Sequence, residues 1–179
     1  MNFFGTSRLA LALAFMAALL FHGKPAMAQE LPSEQSLRAA MVFNFLKFAE
    51  FPPESIANVQ RIRLCIAVGD TRQAEALLAL SGRRAWNREL AVVHLAGRGD
   101  DCHVLYVNSR QRWNAIEEQR VFPRALTIGD FPGFTQDGGM IELDLQEDAT
   151  RFDINLAEGR RAGFRFSPQL LRLARHIYE

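Results

Sequence analysis

The chain has few of the residues that usually announce a chemistry. Among its 179 residues are 2 cysteines, 4 histidines, 2 tryptophans and 2 tyrosines. It contains no G-x-S-x-G elbow, no H-E-x-x-H, no P-loop and no G-x-G-x-x-G. The common signatures of nucleophilic, zinc-hydrolytic and nucleotide chemistry are therefore missing. The C-x-x-C spacing of many zinc sites is also missing. Charge of one sign is scarce, because 21 Lys+Arg face 20 Asp+Glu for a net +1. That argues against life on nucleic-acid phosphates, which calls for a basic stripe. There is no internal repeat, linker or low-complexity tract. Apolar residues, by contrast, are plentiful. Hydrophobic residues make up 49% and aromatics 10%, which argues against disorder. At this length one domain is expected.

No hydrophobic run reaches membrane length either. Leu9 to Phe21 is about 13 residues, against about 20 for a bilayer span. Arg8 precedes this run and Ala26-Met27-Ala28 follows it. A basic start, a short apolar run and an A-x-A ending make residues 1–28 a secretory signal peptide, cleaved after Ala28. No cysteine follows that point, so a lipoprotein is not expected. The leader takes Arg8 and Lys24 with it, turning the net charge of +1 into −1. Residues 29–179 are then a single exported domain, most simply periplasmic. In an oxidising compartment the remaining pair, Cys65 and Cys102, suggests a disulfide. Closing a loop of about 38 residues would stabilise by roughly 4 kcal/mol in the chain-entropy model. Two buried thiols, or a metal pair with His94 or His103, are the competing readings.

The patterning predicts alternating elements. Ser33 is placed to cap a helix whose apolar positions include Leu37, Ala40, Met41, Phe45 and Phe48. Pro52 and Pro53 end it. Short apolar strands are expected at 62–68, 90–95, 102–107 and 125–128, with helices over 71–80 and about 110–119. Strands interleaved with helices imply βαβ units and a mostly parallel sheet with helices on both faces. Residues 140–145 and 151–156 alternate strictly and read as an antiparallel hairpin on the sheet edge. Ile141, Leu143, Phe152 and Ile154 would face the core. Glu142, Asp144, Arg151, Asp153 and Asn155 would face water. A last helix is expected from Pro168 to about Ile177, capped by Ser167, with His176 in its final turn, where a cation complements the dipole.

Candidate binding features are sparse. Gly69-Asp70, Asn108-Ser109 and Gly129-Asp130 close three strands. Ligands of open parallel sheets bind there, but helix caps and tight turns need the same residue types. Phe131 and Phe134 lie in a turn-rich loop, and either pack inward or form an exposed apolar patch. Phe51 poses the same choice. Arg98-Gly99-Asp100 reads as chance.

The run Phe43-Asn44-Phe45-Leu46-Lys47-Phe48-Ala49-Glu50-Phe51-Pro52 resembles the opening helix of the YfiR family of periplasmic proteins. Leu64-Cys65-Ile66-Ala67-Val68-Gly69-Asp70, Cys102-His103-Val104-Leu105-Tyr106 and Leu126-Thr127-Ile128-Gly129-Asp130 resemble its later segments. So do Gly138-Gly139-Met140-Ile141, Phe152-Asp153-Ile154-Asn155-Leu156 and Gln169-Leu170-Leu171-Arg172-Leu173-Ala174. The set runs in order through nearly all of the exported part. The resemblance implies a regulator with no catalytic residues, cofactor or metal. Such a protein binds the periplasmic part of an inner-membrane diguanylate cyclase, or of another membrane sensor, and represses it. Lower cyclic di-GMP and control of biofilm formation and motility follow, with an outer-membrane lipoprotein relieving the repression. It also implies a homodimer and a paired Cys65 and Cys102. A second cysteine pair near the final hairpin belongs to the family pattern and is absent here. The expected partner contacts are exposed aromatics at Phe51, Phe131 and Phe134. Asn44 and Lys47, which share a helix face, are either contacts or local caps, and Asn155 is either hairpin polar face or a contact. The alternative is a periplasmic small-ligand sensor subunit working with another membrane sensor.

Overall fold

Ser33 opens the first helix as expected: its Oγ accepts the Ser36 N–H at 3.2 Å. The computed structural model describes residues 32–96, 101–118, 122–146 and 149–179. The expected signal peptide and the Arg98-Gly99-Asp100 tripeptide lie outside the described residues. Helix α1 covers Glu34–Phe48 and runs into strand β1, Ala49–Glu50. Pro53 begins a single turn, α2, Pro53–Ile56. Then follow β2 (Arg61–Ala67), α3 (Thr71–Leu78), β3 (Arg84–Ala85), β4 (Arg88–His94), β5 (Val104–Val107), α4 (Arg110–Glu117) and β6 (Leu126–Gly129). The chain continues through β7 (Ile141–Gln146), β8 (Ala149–Asn155), α5 (Leu156–Arg161), β9 (Arg165–Phe166), α6 (Pro168–Leu173) and β10 (His176–Tyr178).

The main sheet has the order β10-β8-β7-β6-β5-β2-β4-β3, and β1 pairs with β9 separately. Strands β4, β2, β5, β6 and β7 are parallel neighbours, as the βαβ pattern requires. Strand β8 returns antiparallel to β7, with Leu143 opposite Phe152. This is the α/β fold the sequence predicts, with its terminal hairpin joined to β6.

Two apolar layers sandwich the sheet. On one face Ile62, Leu64, Ile66, Tyr106, Ile128, Ile141 and Ile154 are buried against Val42, Phe45 and Leu46 of α1 and Leu77 of α3. Phe45 meets Phe152 edge-on at 5.0 Å between ring centres. Side chains of this size stabilise by about 1.5–3 kcal/mol each when fully buried. On the other face Cys65, Leu105 and Val107 lie under Trp113 of α4 and under Phe134. Phe134 sits 4.7 Å from Trp113 and 5.3 Å from Phe131. Gly129 and Gly139 flank its ring, and a Cβ on either would overlap it.

Two expectations fail at the end of the chain. The last helix stops at Leu173, and His176–Tyr178 is a strand parallel to β8. The hairpin is therefore not the outermost pair. The free edge of β8 offers backbone partners, and Arg175 finds acids there. Nor is the polar face of the hairpin solvated throughout. Glu142 and Asp153 are buried. The loop before β7 folds over Glu142, which accepts the Gly133 and Thr135 N–H groups at 3.2 Å each and the Thr135 hydroxyl at 3.0 Å.

Candidate partner surface

Ser167 caps α6 through its Oγ, which accepts the Leu170 N–H at 3.1 Å. Leu170 anchors this short helix in the core, while Leu173, the last residue of the helix, is 68% exposed. Ala174 turns the backbone extended. Arg175 then spans two strands. Its Nε and Nη2 meet the two Asp153 oxygens at 2.9 and 2.8 Å, and its Nη1 meets Asp144 at 2.7 Å. The His176 backbone N–H also reaches Asp153, at 3.2 Å. Burial opposes the Asp153 carboxylate, yet hydrogen bonds and charge from Arg175 and His176 hold it below the usual carboxylate range. The hydrogen bonds that Arg175 donates to Asp153 and Asp144 push its own pKa further up. The clamp fixes β10 in register, with Ile177 opposite Ile154 and Tyr178 opposite Asn155.

The result is an apolar edge. Four large hydrophobic residues are exposed among those described: Trp86, Leu173, Ile177 and Tyr178. Three of them fall between 173 and 178. Among the described residues, no strand pairs with the outer side of β10. An unpaired edge with exposed apolar side chains is a template for another strand or an apolar partner.

The residues singled out in the sequence are distributed differently. Cys65 and Cys102 are bonded to each other, with Cα atoms 5.7 Å apart, so neither a thiol pair nor a metal pair describes them. Phe51 and Phe134 are buried and are not exposed anchors. Phe51 packs edge-on against Phe164 at 5.3 Å, and Phe134 fills the cluster described above. Phe131 is half-buried under the Arg110 guanidinium, 5.5 Å from its ring centre. Asn44 is half-buried, and Lys47 is exposed with its Nζ 5.9 and 5.8 Å from the Phe43 and Phe48 rings. Asn155 is neither open polar face nor free contact. Its Oδ1 caps α5 by accepting the Glu158 N–H at 3.0 Å, and its Nδ2 donates to the Thr135 carbonyl at 2.8 Å.

At the strand ends, capping accounts for two of the three candidates. Asp70 accepts the Gln73 N–H at 2.7 Å, and Ser109 accepts the Arg112 N–H at 3.4 Å. Asp130 instead accepts the Tyr106 hydroxyl at 2.9 Å and ion-pairs with Arg38 Nε at 2.6 Å. Burial raises its carboxyl pKa while Arg38 and Tyr106 pull it back down. This pair ties α1 to the end of β6.

Sequence reasoning missed Leu173, Arg175, Ile177 and Tyr178 as a group. A helix expected to run to about Ile177 absorbed the first three and left Tyr178 unread, although Ile177 and Tyr178 stand in a polar tail with no apolar repeat.

The family model described as YfiR/HmsC-like matches residues 35–175. Among solved structures, a conserved domain protein from Vibrio cholerae O1 biovar eltor str. N16961 superposes with a TM-score of 0.51 at 14% identity. The match covers 81% of this chain and 60% of the Vibrio chain, and it speaks for the fold alone. No curated protein matches.

Proposed function

The chain belongs to the YfiR/HmsC-like family, and from that premise we propose that it is a periplasmic regulator of cyclic di-GMP signalling that acts by contact rather than catalysis. Residues 1–28 are its leader, removed after Ala28. No helix among the described residues is long and apolar enough to cross a membrane. Its partner is the periplasmic part of an inner-membrane signalling protein, a diguanylate cyclase, whose output it lowers. An outer-membrane lipoprotein competes for it, and the working form is a homodimer.

The observation that carries this reading is the exposure of Ile177 and Tyr178 on the unpaired edge strand β10, with exposed Leu173 at the end of the helix that leads into it. A regulator of this kind works by differential affinity. Shifting a receptor from 1:99 to 99:1 needs about 5.5 kcal/mol of preference for one state. A few buried aromatic or aliphatic anchors can supply that.

Deletion of the gene should raise cyclic di-GMP, and Ile177→Lys or Tyr178→Asp should reproduce the deletion while the protein still accumulates. Unchanged cyclic di-GMP on deletion, with no inner-membrane protein co-purifying, would refute the proposal. A cavity of about 490 Å³ lined by Trp113, Phe122, Met140 and Arg161, among others, favours a second reading, the small-ligand sensor. A metabolite that fills it at 100 times its Kd would stabilise the fold by about 2.7 kcal/mol in a thermal-shift screen.

A further inference from the structure

The second face of the sheet carries a groove that neither reading uses. It lies over the amino-terminal half of β2 and the middle and carboxyl-terminal part of β4, beside Cys102, and encloses about 730 Å³. Its floor is apolar, formed by Val59, Ala91 and Val93. Its walls carry Arg61, Arg63 and Arg124. Glu89 lies 3.7 Å from Arg61, and Asp101 is the acid on the lining itself. Among the described residues, no carboxylate is paired with the guanidinium of Arg63 or Arg124. His103 completes one wall. Its Nδ1 accepts the Arg63 N–H at 3.1 Å and its own N–H donates to the Arg63 carbonyl at 2.9 Å. The bridge from Cys102 to Cys65 holds this wall on the sheet.

The cations are spread out rather than gathered at one point. Arg61 and Arg63 are alternate residues of one strand, so they project on the same side roughly 6.6 Å apart. Arg124 leads into β6, two strands from β2, a separation of about 10 Å. A single phosphate or carboxylate cannot satisfy all three. An extended peptide can meet Arg61 and Arg63 together, because its own alternate side chains repeat at the same spacing as those of β2, while Arg124 lines the groove across the sheet from them. The apolar floor suits the methylene stems of its acidic residues.

We propose that this groove binds an extended acidic segment of a partner protein, with carboxylates at alternate positions facing Arg61 and Arg63, and with Arg124 adding positive charge from across the groove. The proposal goes beyond the edge-docking reading and does not rest on it.

Fluorescence anisotropy on the complete exported chain tests it. The probes are a labelled heptapeptide alternating glutamate and valine, and its lysine counterpart. The acidic probe should bind and the lysine probe should not, with affinity falling as salt is raised. Arg63→Glu combined with Arg124→Glu should weaken binding at least about tenfold, and the two glutamine substitutions should weaken it less. Arg72→Glu with Arg172→Glu, equal in charge change but on α3 and α6, should leave binding unchanged. Tyr178→Asp should also leave it unchanged, which separates this groove from the edge. Equal binding of both probes, or equal loss in the Arg72 and Arg172 variant, would overturn the proposal. So would binding of inorganic phosphate or phosphatidylglycerol vesicles through Arg63 and Arg124 without binding of the acidic peptide.

Discussion

His103 is the residue through which pH reaches the bridged region. Burial pushes its imidazole below the ordinary value of 6.5, and the Arg63 charge pushes the same way against Asp101. Its Nδ1 is an acceptor for the Arg63 N–H, a role that protonation removes. The unfolded chain therefore binds this proton more readily than the folded one. The stability involved is present above about pH 6.5 and is lost as pH falls toward the folded value. Thermal melts between about pH 7.5 and 5 should show a fall in Tm that His103→Gln reduces. The neighbouring bridge makes a separate prediction. Unreduced protein should weigh two hydrogens less than reduced protein. Replacing Cys65 and Cys102 together by serine should cost about 4 kcal/mol, and equal Tm values with and without reductant would contradict this.

At the scale of elements, the loop from Asp130 to Gly139 is a packed piece rather than a connection. Phe134 is its anchor, so Phe134→Ala should destabilise by about 3–5 kcal/mol in a denaturant titration. Trp113 supports it from α4, its indole N–H donating to the Asp137 carbonyl at 2.9 Å. Strand β10 depends on a polar anchor instead. Arg175→Met leaves the Asp153 carboxylate buried without its main partner. Hydrogen exchange should then speed up at Ile177 and Tyr178 while β2 stays protected. These two elements also mark where the sequence stopped being legible. Helix α1, strand β2 and the β7–β8 hairpin each carry enough periodic apolar residues to declare themselves. A three-residue parallel strand such as β10 carries no alternation to read. The burial of Glu142 and Asp153 depends on Thr135 and Arg175, which sequence proximity to the hairpin does not pair with them.

For the whole molecule, the proposed docking is separable from folding because the apolar edge is exposed. Exposed substitutions away from special contacts usually change stability by less than about 0.5 kcal/mol. Ile177→Lys should therefore keep its Tm within a degree or two while losing the inner-membrane partner, measured by co-purification. A large loss of Tm would instead mean that Ile177 belongs to the core. The architecture was legible at this scale, since alternating βαβ patterning and the ordered family segments agree on a parallel sheet. The exposed apolar edge was not, because aromaticity alone does not say which side of a fold a ring will take. Phe51 and Phe134 went inward, while the ordinary-looking Leu173 and Ile177 stayed out.

The seat of Phe134 between Gly129 and Gly139 constrains how such a protein can diverge. A methyl group at either glycine fits only if the ring is first made smaller, and a smaller ring leaves a void until a glycine grows. Natural variants should accordingly retain all three residues or have exchanged them as a set, with single replacements rare among functional descendants.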